Sequence, residues 1–155
     1  MNINIVDYKP EYRSYFEKFN KQWIEEYFIL EDIDKWVLEH PEEAILKEGG
    51  RILFAEADGQ IVGTVALKFI SNGIYELTKM AVDKSFRGSG SGKSLCYAAI
   101  RQAEVMGASK IILYSHTSLI NAIGIYRKLG FVEAALEPGK YERADIKMEM
   151  QLEKK

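Results

Sequence analysis

Eight residues constrain this chain more than any others. Arg87-Gly88-Ser89-Gly90-Ser91-Gly92-Lys93-Ser94 follow an apolar run, Tyr75 to Val82, and precede apolar residues at helical spacing, Leu95, Ala99, Ala103 and Met106. A flexible glycine loop between a strand and a helix turns several backbone N–H groups and the positive end of the helix dipole toward one spot, which makes it an anion site, with phosphate the first reading. The glycines let a ligand approach the backbone closely. Two familiar phosphate loops do not fit. Gly92-Lys93-Ser94 matches the end of G-x-x-x-x-G-K-[ST], but the first glycine would fall at position 87, which is Arg. The dinucleotide fingerprint G-x-G-x-x-G, started at Gly88, requires glycine where Lys93 stands.

The rest of the chain supplies the elements around this loop. A short strand over 4–7 is followed by a helix over 11–28, with Tyr12, Tyr15, Phe16, Phe19, Trp23 and Tyr27 near a 3.6-residue period, and by a second short helix over 34–39 that stops before Pro41. Arg51 to Ala57 and Gln60 to Ile70 read as strands joined by Asp58-Gly59, a hairpin signal because the tight turn needs positive φ. Tyr75 to Val82 completes an antiparallel meander. After the glycine loop come a helix over 94–106, a strand over 110–114, a helix over 119–129 closed by Gly130 with Phe131 packing back on its last turn, and strands over 131–135 and 144–152. The fold class is an α/β sandwich around a mixed sheet. No linker, repeat or biased segment divides the 155 residues, so one domain is expected over 1–155.

Composition removes several function classes. Lys plus Arg number 21 and Asp plus Glu 23, a net charge of −2 that is not clustered, so no nucleic-acid partner is expected. One cysteine excludes a disulfide framework, and no His, Cys, Asp or Glu cluster has metal-ligand spacing, so no metal is expected. The start, Met1-Asn2-Ile3-Asn4-Ile5, lacks a basic leader, and no apolar run approaches a membrane span. A cytoplasmic protein with no membrane partner is the expectation.

Arg87-x-x-Gly90-x-Gly92 resembles the R/Q-x-x-G-x-G/A segment of the GNAT family of N-acetyltransferases. Met80-Ala81-Val82 ahead of Phe86-Arg87-Gly88 is similar to the strand that leads into that segment. Ala122-Ile123-x-Ile125-Tyr126-Arg127-Lys128-Leu129-Gly130-Phe131 resembles a second motif of the family. The likeness covers about 51–131, weakens toward Leu152, and is general in character before residue 49. Tyr141 to Met148 resembles a subgroup found alone or fused to MarR-type regulators, and no such DNA-binding domain is expected within these 155 residues. The resemblance implies a three-layer sandwich with a mostly antiparallel central sheet, and transfer of an acetyl group from acetyl-CoA to a primary amine by direct transfer in a ternary complex. An acyl-CoA-binding sensor or scaffold of the same fold is the alternative.

The residues implied follow from the matched motifs. Met80, Ala81, Val82, Arg87, Gly88, Ser89, Gly90, Ser91, Gly92, Lys93, Ser94 and Tyr126 would hold acetyl-CoA, the pyrophosphate lying in the loop and the pantetheine arm pairing with a bulged, splayed strand end like an added strand. A backbone N–H near Ala81 or Val82 would hold the oxyanion. Tyr126 would protonate the leaving thiolate; alone it reads as an aromatic packed on an amphipathic helix. Glu76 is the candidate base; the other reading is a solvated or lysine-paired glutamate, with a water chain in its place. Strand alternation places Glu76, Thr78, Met80 and Val82 on one face. Many members carry Asn where this chain has Leu119; Asn121 is expected to face elsewhere, with Thr117 or Ser118 as substitutes. Cys96 beside His116 reads as a packed cysteine rather than a nucleophile.

The acceptor side is assigned by family position to Trp23, Tyr27, Phe28, His116, Tyr141 and Arg143. The aromatics read either as a wall for an apolar or cationic group or as helix core. Arg143 would pair with an acceptor carboxylate or with Glu142 or Asp145. The partner implied is a small amine or amino-acid-like acceptor. An open strand edge near the C-terminus leaves room for a homodimer.

Overall fold

A computed structural model describes residues 2–139 and 141–152. The elements are β1 (Ile3–Asp7), α1 (Arg13–Tyr27), α2 (Asp32–Glu39), β2 (Arg51–Ala57), β3 (Gln60–Ser71), β4 (Ile74–Val82), α3 (Ser91–Val105), β5 (Lys110–Ser115), α4 (Ile120–Leu129), β6 (Val132–Ala134) and β7 (Ile146–Gln151). One seven-stranded sheet runs in the order β1-β2-β3-β4-β5-β7-β6. Every pairing is antiparallel except β4 with β5. No described helix is long and apolar enough to cross a membrane.

Helices cover both faces of the sheet, so the central strands are apolar on both sides. On one face α1 and α2 bury Phe16, Phe19, Ile24, Val37 and Leu38 against Ile52, Phe54 and Ala66. On the other, α3 and α4 bury Leu95, Cys96, Ala99, Ala103 and Tyr126 against Leu53, Ala55, Val65 and Leu113. Phe16, Phe54 and Phe131 are fully buried, each worth about 1.5–3 kcal/mol relative to exposure. The β2–β3 hairpin turns through Asp58 and Gly59, both at positive φ (51° and 80°), as Asp-Gly predicts. A turn of π-helix over Glu42–Leu46, absent from the sequence reading, seats Ala44 and Ile45 in the first of these layers. The second helix ends at Glu39, before Pro41 as expected, and Pro41 stands at the start of this further turn.

Two departures from regular pairing shape the middle of the sheet. In β4, Thr64 opposes Ala81 while Ala66 opposes Thr78, so β4 carries one extra residue, a bulge whose Lys79 has φ +54°. Parallel pairing of β4 with β5 covers only Ile74 to Glu76 against Lys110 to Ile112. Beyond Glu76 the two strands part, and the backbone of 77–82 has no partner strand on that side among the described residues.

The bulge also corrects an expectation. Tyr75 and Leu77 pack in the α3–α4 layer and Glu76 points the other way. After the extra residue, Met80 and Val82 return to the α3–α4 layer and Ala81 joins the α1–α2 layer. Glu76 therefore does not share a face with Met80 and Val82; one inserted residue reverses the alternation between them.

Candidate active site

The parting of β4 from β5 opens a cavity of about 820 Å³ that passes through the sheet from one helical layer to the other. Its two ends are built differently.

At the α3 end the wall is largely backbone. The helix begins at Ser91, earlier than expected, with Gly90 left-handed (φ +91°) as its N-cap and Gly88 at φ +84°. The first-turn N–H groups of a helix have no intrahelical acceptor and here border the cavity at Gly92 and Lys93. Of the expected set, Met80, Ala81, Val82, Arg87, Gly88, Gly90, Gly92, Lys93 and Tyr126 line the cavity, and Ser89, Ser91 and Ser94 do not. The Ser89 and Ser91 hydroxyls bond each other at 2.8 Å, and Ser91 is buried. Arg87 leans toward α1: Nη1 donates to Glu26 Oε2 at 2.8 Å and Nε to the Val82 carbonyl at 3.3 Å.

Tyr126 sits where α4 meets the cavity. Gly130 (φ +112°) closes the helix, the Phe131 N–H returns to the Tyr126 carbonyl at 3.0 Å, and the two rings meet edge to face at 6.0 Å, which fixes the tyrosine from below. Burial, with the nearby Cys96 adding to it, pushes the phenol well above its ordinary value, so it stays protonated. Cys96 itself is fully buried, its Sγ 3.1 Å from Met80 Sδ, and burial pushes its thiol up to about 12. That is the reverse of what a nucleophilic cysteine needs. Asn121, expected to face elsewhere, lines the cavity with Ser118 and Leu119. Thr117 is instead tied to Asp145 through both its N–H and its hydroxyl, each at 2.8 Å.

The opposite end is built from side chains. Trp23, Tyr27, Phe28, Glu76, His116, Tyr141 and Arg143 all line it. Trp23 packs between Tyr27 (5.4 Å) and Phe28 (6.1 Å), and Phe28 reaches His116 at 5.6 Å, one continuous aromatic wall. His116 bonds Ser118 through Nδ1 at 2.7 Å and lies 3.4 Å from Asp145 through Nε2. Glu76 is 1% exposed: Oε2 accepts the Tyr141 hydroxyl at 3.1 Å, and Oε1 is buried with no hydrogen-bond partner among the described residues.

Behind this wall is an ionic cluster that sequence reasoning did not assemble. Asp34, fully buried near the start of α2, accepts from Lys79 Nζ at 2.7 Å, from Arg143 Nη2 at 2.9 Å and from Arg143 Nη1. Arg143 Nη1 also reaches Glu31 Oε2 at 2.7 Å. Arg143 thus pairs with Asp34 and Glu31 rather than with Glu142 or Asp145. Burial would raise the Asp34 carboxyl, but hydrogen bonds from Arg143 and the charge of Lys79 outweigh it and hold it below the usual carboxylate range. Glu31 and Asp34 also form a capping box, each side chain accepting the other's backbone N–H. That spacing was the one visible signal; nothing in it indicated Lys79 or Arg143.

A sheet split at its fourth strand, with a glycine-rich helix start beside the split, defines an acyltransferase-type α/β architecture, and comparison with known proteins gives it a family. Residues 9–131 match the acetyltransferase (GNAT) family, and the chain belongs to it. An uncharacterized N-acetyltransferase of Methanocaldococcus jannaschii is 30% identical over 141 residues, 85% of this chain and 56% of that protein. The mycothiol acetyltransferase of Saccharomonospora viridis is 31% identical over 105 residues, 63% of this chain and 34% of that one. Human N-acetylaspartate synthetase is 30% identical over 103 residues, 66% of this chain and 32% of that one. The chain thus spans from about a third to just over half of the length of these relatives. Among solved structures, a GNAT-family acetyltransferase of Staphylococcus aureus Mu50 matches with a TM-score of 0.87 at 27% identity, over 98% of this chain and 100% of that one. The PaiA N-acetyltransferase of Thermoplasma acidophilum, solved in complex with coenzyme A, shares the fold with a TM-score of 0.76 at 24% identity, over 98% and 100%.

Proposed function

We propose that residues 1–155 act as one domain that transfers an acetyl group from acetyl-CoA to the primary amine of a small molecule, with both substrates bound together. The observation that carries this reading is the split between β4 and β5, which leaves the β5 side of the 77–82 backbone without a partner strand among the described residues, between the α3 helix start and a buried carboxylate. The pyrophosphate fits the N-terminus of α3, where unpaired N–H groups and the helix dipole favour negative charge. The pantetheine arm completes the interrupted sheet along β4, and the thioester arrives between Tyr126 and the bulge. Relatives bearing names as different as mycothiol acetyltransferase and N-acetylaspartate synthetase leave the choice of acceptor to this chain's own residues.

In this reading the ammonium of the acceptor gives one proton to Glu76. The freed nitrogen attacks the thioester carbonyl, and a backbone N–H near Ala81 or Val82 holds the oxyanion. The tetrahedral centre collapses with cleavage of the C–S bond. Tyr126, kept protonated by burial, donates to the departing thiolate, and the proton that the nitrogen loses as the amide forms returns the phenolate to the phenol. Holding the two reactants together supplies much of the rate.

The test is thermal unfolding of the protein alone, with acetyl-CoA and with Mg-ATP, followed by thiol release with a panel of amines. Acetyl-CoA at 100 times its Kd adds about 2.7 kcal/mol of stability. A shift with acetyl-CoA together with amine-dependent thiol release is the expected result. A shift with Mg-ATP alone, or acetyl-CoA binding with no transfer to any amine, overturns it.

A further inference from the structure

The charges around the acceptor end of the cavity do not balance, and their imbalance carries information about the ligand. Among the described residues, Glu31, Asp34 and Glu76 face Lys79 and Arg143 alone, leaving one net negative charge in this cluster. Both cations are committed. Lys79 Nζ lies 2.7 Å from Asp34, and Arg143 spans Asp34 and Glu31 at 2.9 and 2.7 Å. Both also lie against the Tyr141 ring, at 5.3 and 5.1 Å from its centre, and the Tyr141 hydroxyl is spent on Glu76 Oε2. What remains is Oε1 of Glu76, buried on the cavity wall and lacking a donor among the described residues. A buried carboxylate oxygen without a donor is costly, so the donor is expected from the ligand. His116 on this wall is turned to Ser118 and Asp145, and the Tyr114 hydroxyl donates to Glu137. The apolar part of this surface is the aromatic wall of Trp23 and Phe28.

We propose that the acceptor is a primary amine with an apolar body and no carboxylate, its ammonium donating to Oε1 of Glu76, and that amino acids are excluded by charge. The inference rests on the acetyltransferase reading above and narrows it. A ligand carboxylate beside the amine would lie next to Glu76. To reach a cation of the described cluster it would have to draw Arg143 or Lys79 away from Asp34, whose side chain is fully buried. Breaking such a buried pair strands a charge. An ammonium meets no such conflict: it adds the missing donor and neutralises the surplus charge, while its apolar body lies on Trp23 and Phe28.

Three matched compounds test this: 2-phenylethylamine, phenylalaninamide and phenylalanine. The amide has nearly the shape of the acid without its charge. Binding is read by calorimetry on the CoA-loaded protein, and transfer by thiol release. The amine and the amide are expected to bind and react at least about 30-fold better than phenylalanine, since like-charge contacts in a desolvated site are strongly unfavourable. Glu76→Gln, of the same shape, should bring amide and acid to within about threefold of each other in binding by removing that repulsion, with an unfolding midpoint confirming the fold. Phenylalanine bound as well as its amide, or an unchanged ratio in a folded Glu76→Gln, overturns the inference, as does failure of all three compounds to bind. If the charge preference appears in binding without any acetyl transfer, the proposed function fails and this inference stands.

Discussion

The two ends of the cavity use different chemistry. The α3 end is backbone: N–H groups of a glycine loop and an unpaired stretch of strand. The opposite end is side chains: Glu31, Asp34, Glu76, Lys79, Tyr141 and Arg143 drawn together from α2, β4 and the segment before β7. A backbone-made site tolerates many side chains but few conformations. A side-chain site tolerates almost no substitution, because each buried charge depends on the others. The first suits a ligand shared across a family; the second suits one that differs from member to member.

Substitutions sharpen this contrast, beginning with the largest effect. Asp34→Ala leaves Lys79 and Arg143 buried without their shared carboxylate and should cost about 3–5 kcal/mol, lowering Tm by roughly 10 °C; a denaturant melt checks it, and a loss below about 1 kcal/mol would make the cluster incidental. The same carboxylate predicts a pH effect. Its folded pKa lies below the ordinary value, so its contribution is complete at neutral pH and is lost as pH falls below about 4 and on through the folded pKa. Urea melts from pH 7 to 3 should show that fall for the native chain and a flatter one for Asp34→Asn. Next, Tyr126→Phe should lower kcat about 100-fold while acetyl-CoA affinity stays within about twofold; an unchanged kcat would make Tyr126 a packing residue. Smaller still, Gly90→Ala adds a Cβ that meets nothing within 4 Å, so its cost is the left-handed backbone alone. About 1–2 kcal/mol is expected, felt as roughly tenfold weaker acetyl-CoA binding by calorimetry with amine binding unaltered. Smallest is Glu26→Gln, which releases Arg87 from an ion pair at the surface and should change acetyl-CoA affinity by about twofold at low salt, and less at high salt.

The same contrast explains what the sequence disclosed. Glycine position, the Asp58-Gly59 turn and the Gly130 helix end are local signals, each caused by the backbone at that residue, and the elements they predict are present within a few residues. The extra residue in β4 is not local: it shows only against the register of β3, which is why Glu76 was assigned to the face of Met80. Arg143 reads from the sequence as a partner for an acceptor carboxylate or for its neighbours Glu142 and Asp145, yet its partners lie at Glu31 and Asp34, more than a hundred positions away. Asn121 was placed by helical spacing from Leu119, and a wide cavity admits both. Pro41 carried a stop signal that holds for α-helix, whereas the next turn is π-helical.

The positive φ at Lys79 has a consequence for how such a chain can change. The inserted residue shifts the strand's alternation by half a period, so β4 is one rigid rod with two phases. Before it the odd-numbered Tyr75 and Leu77 face the α3–α4 layer, and after it the even-numbered Met80 and Val82 do. Deleting a single residue at the phase boundary would bring the two halves into step and exchange the surroundings of every side chain beyond it, a larger change than any point substitution along the strand.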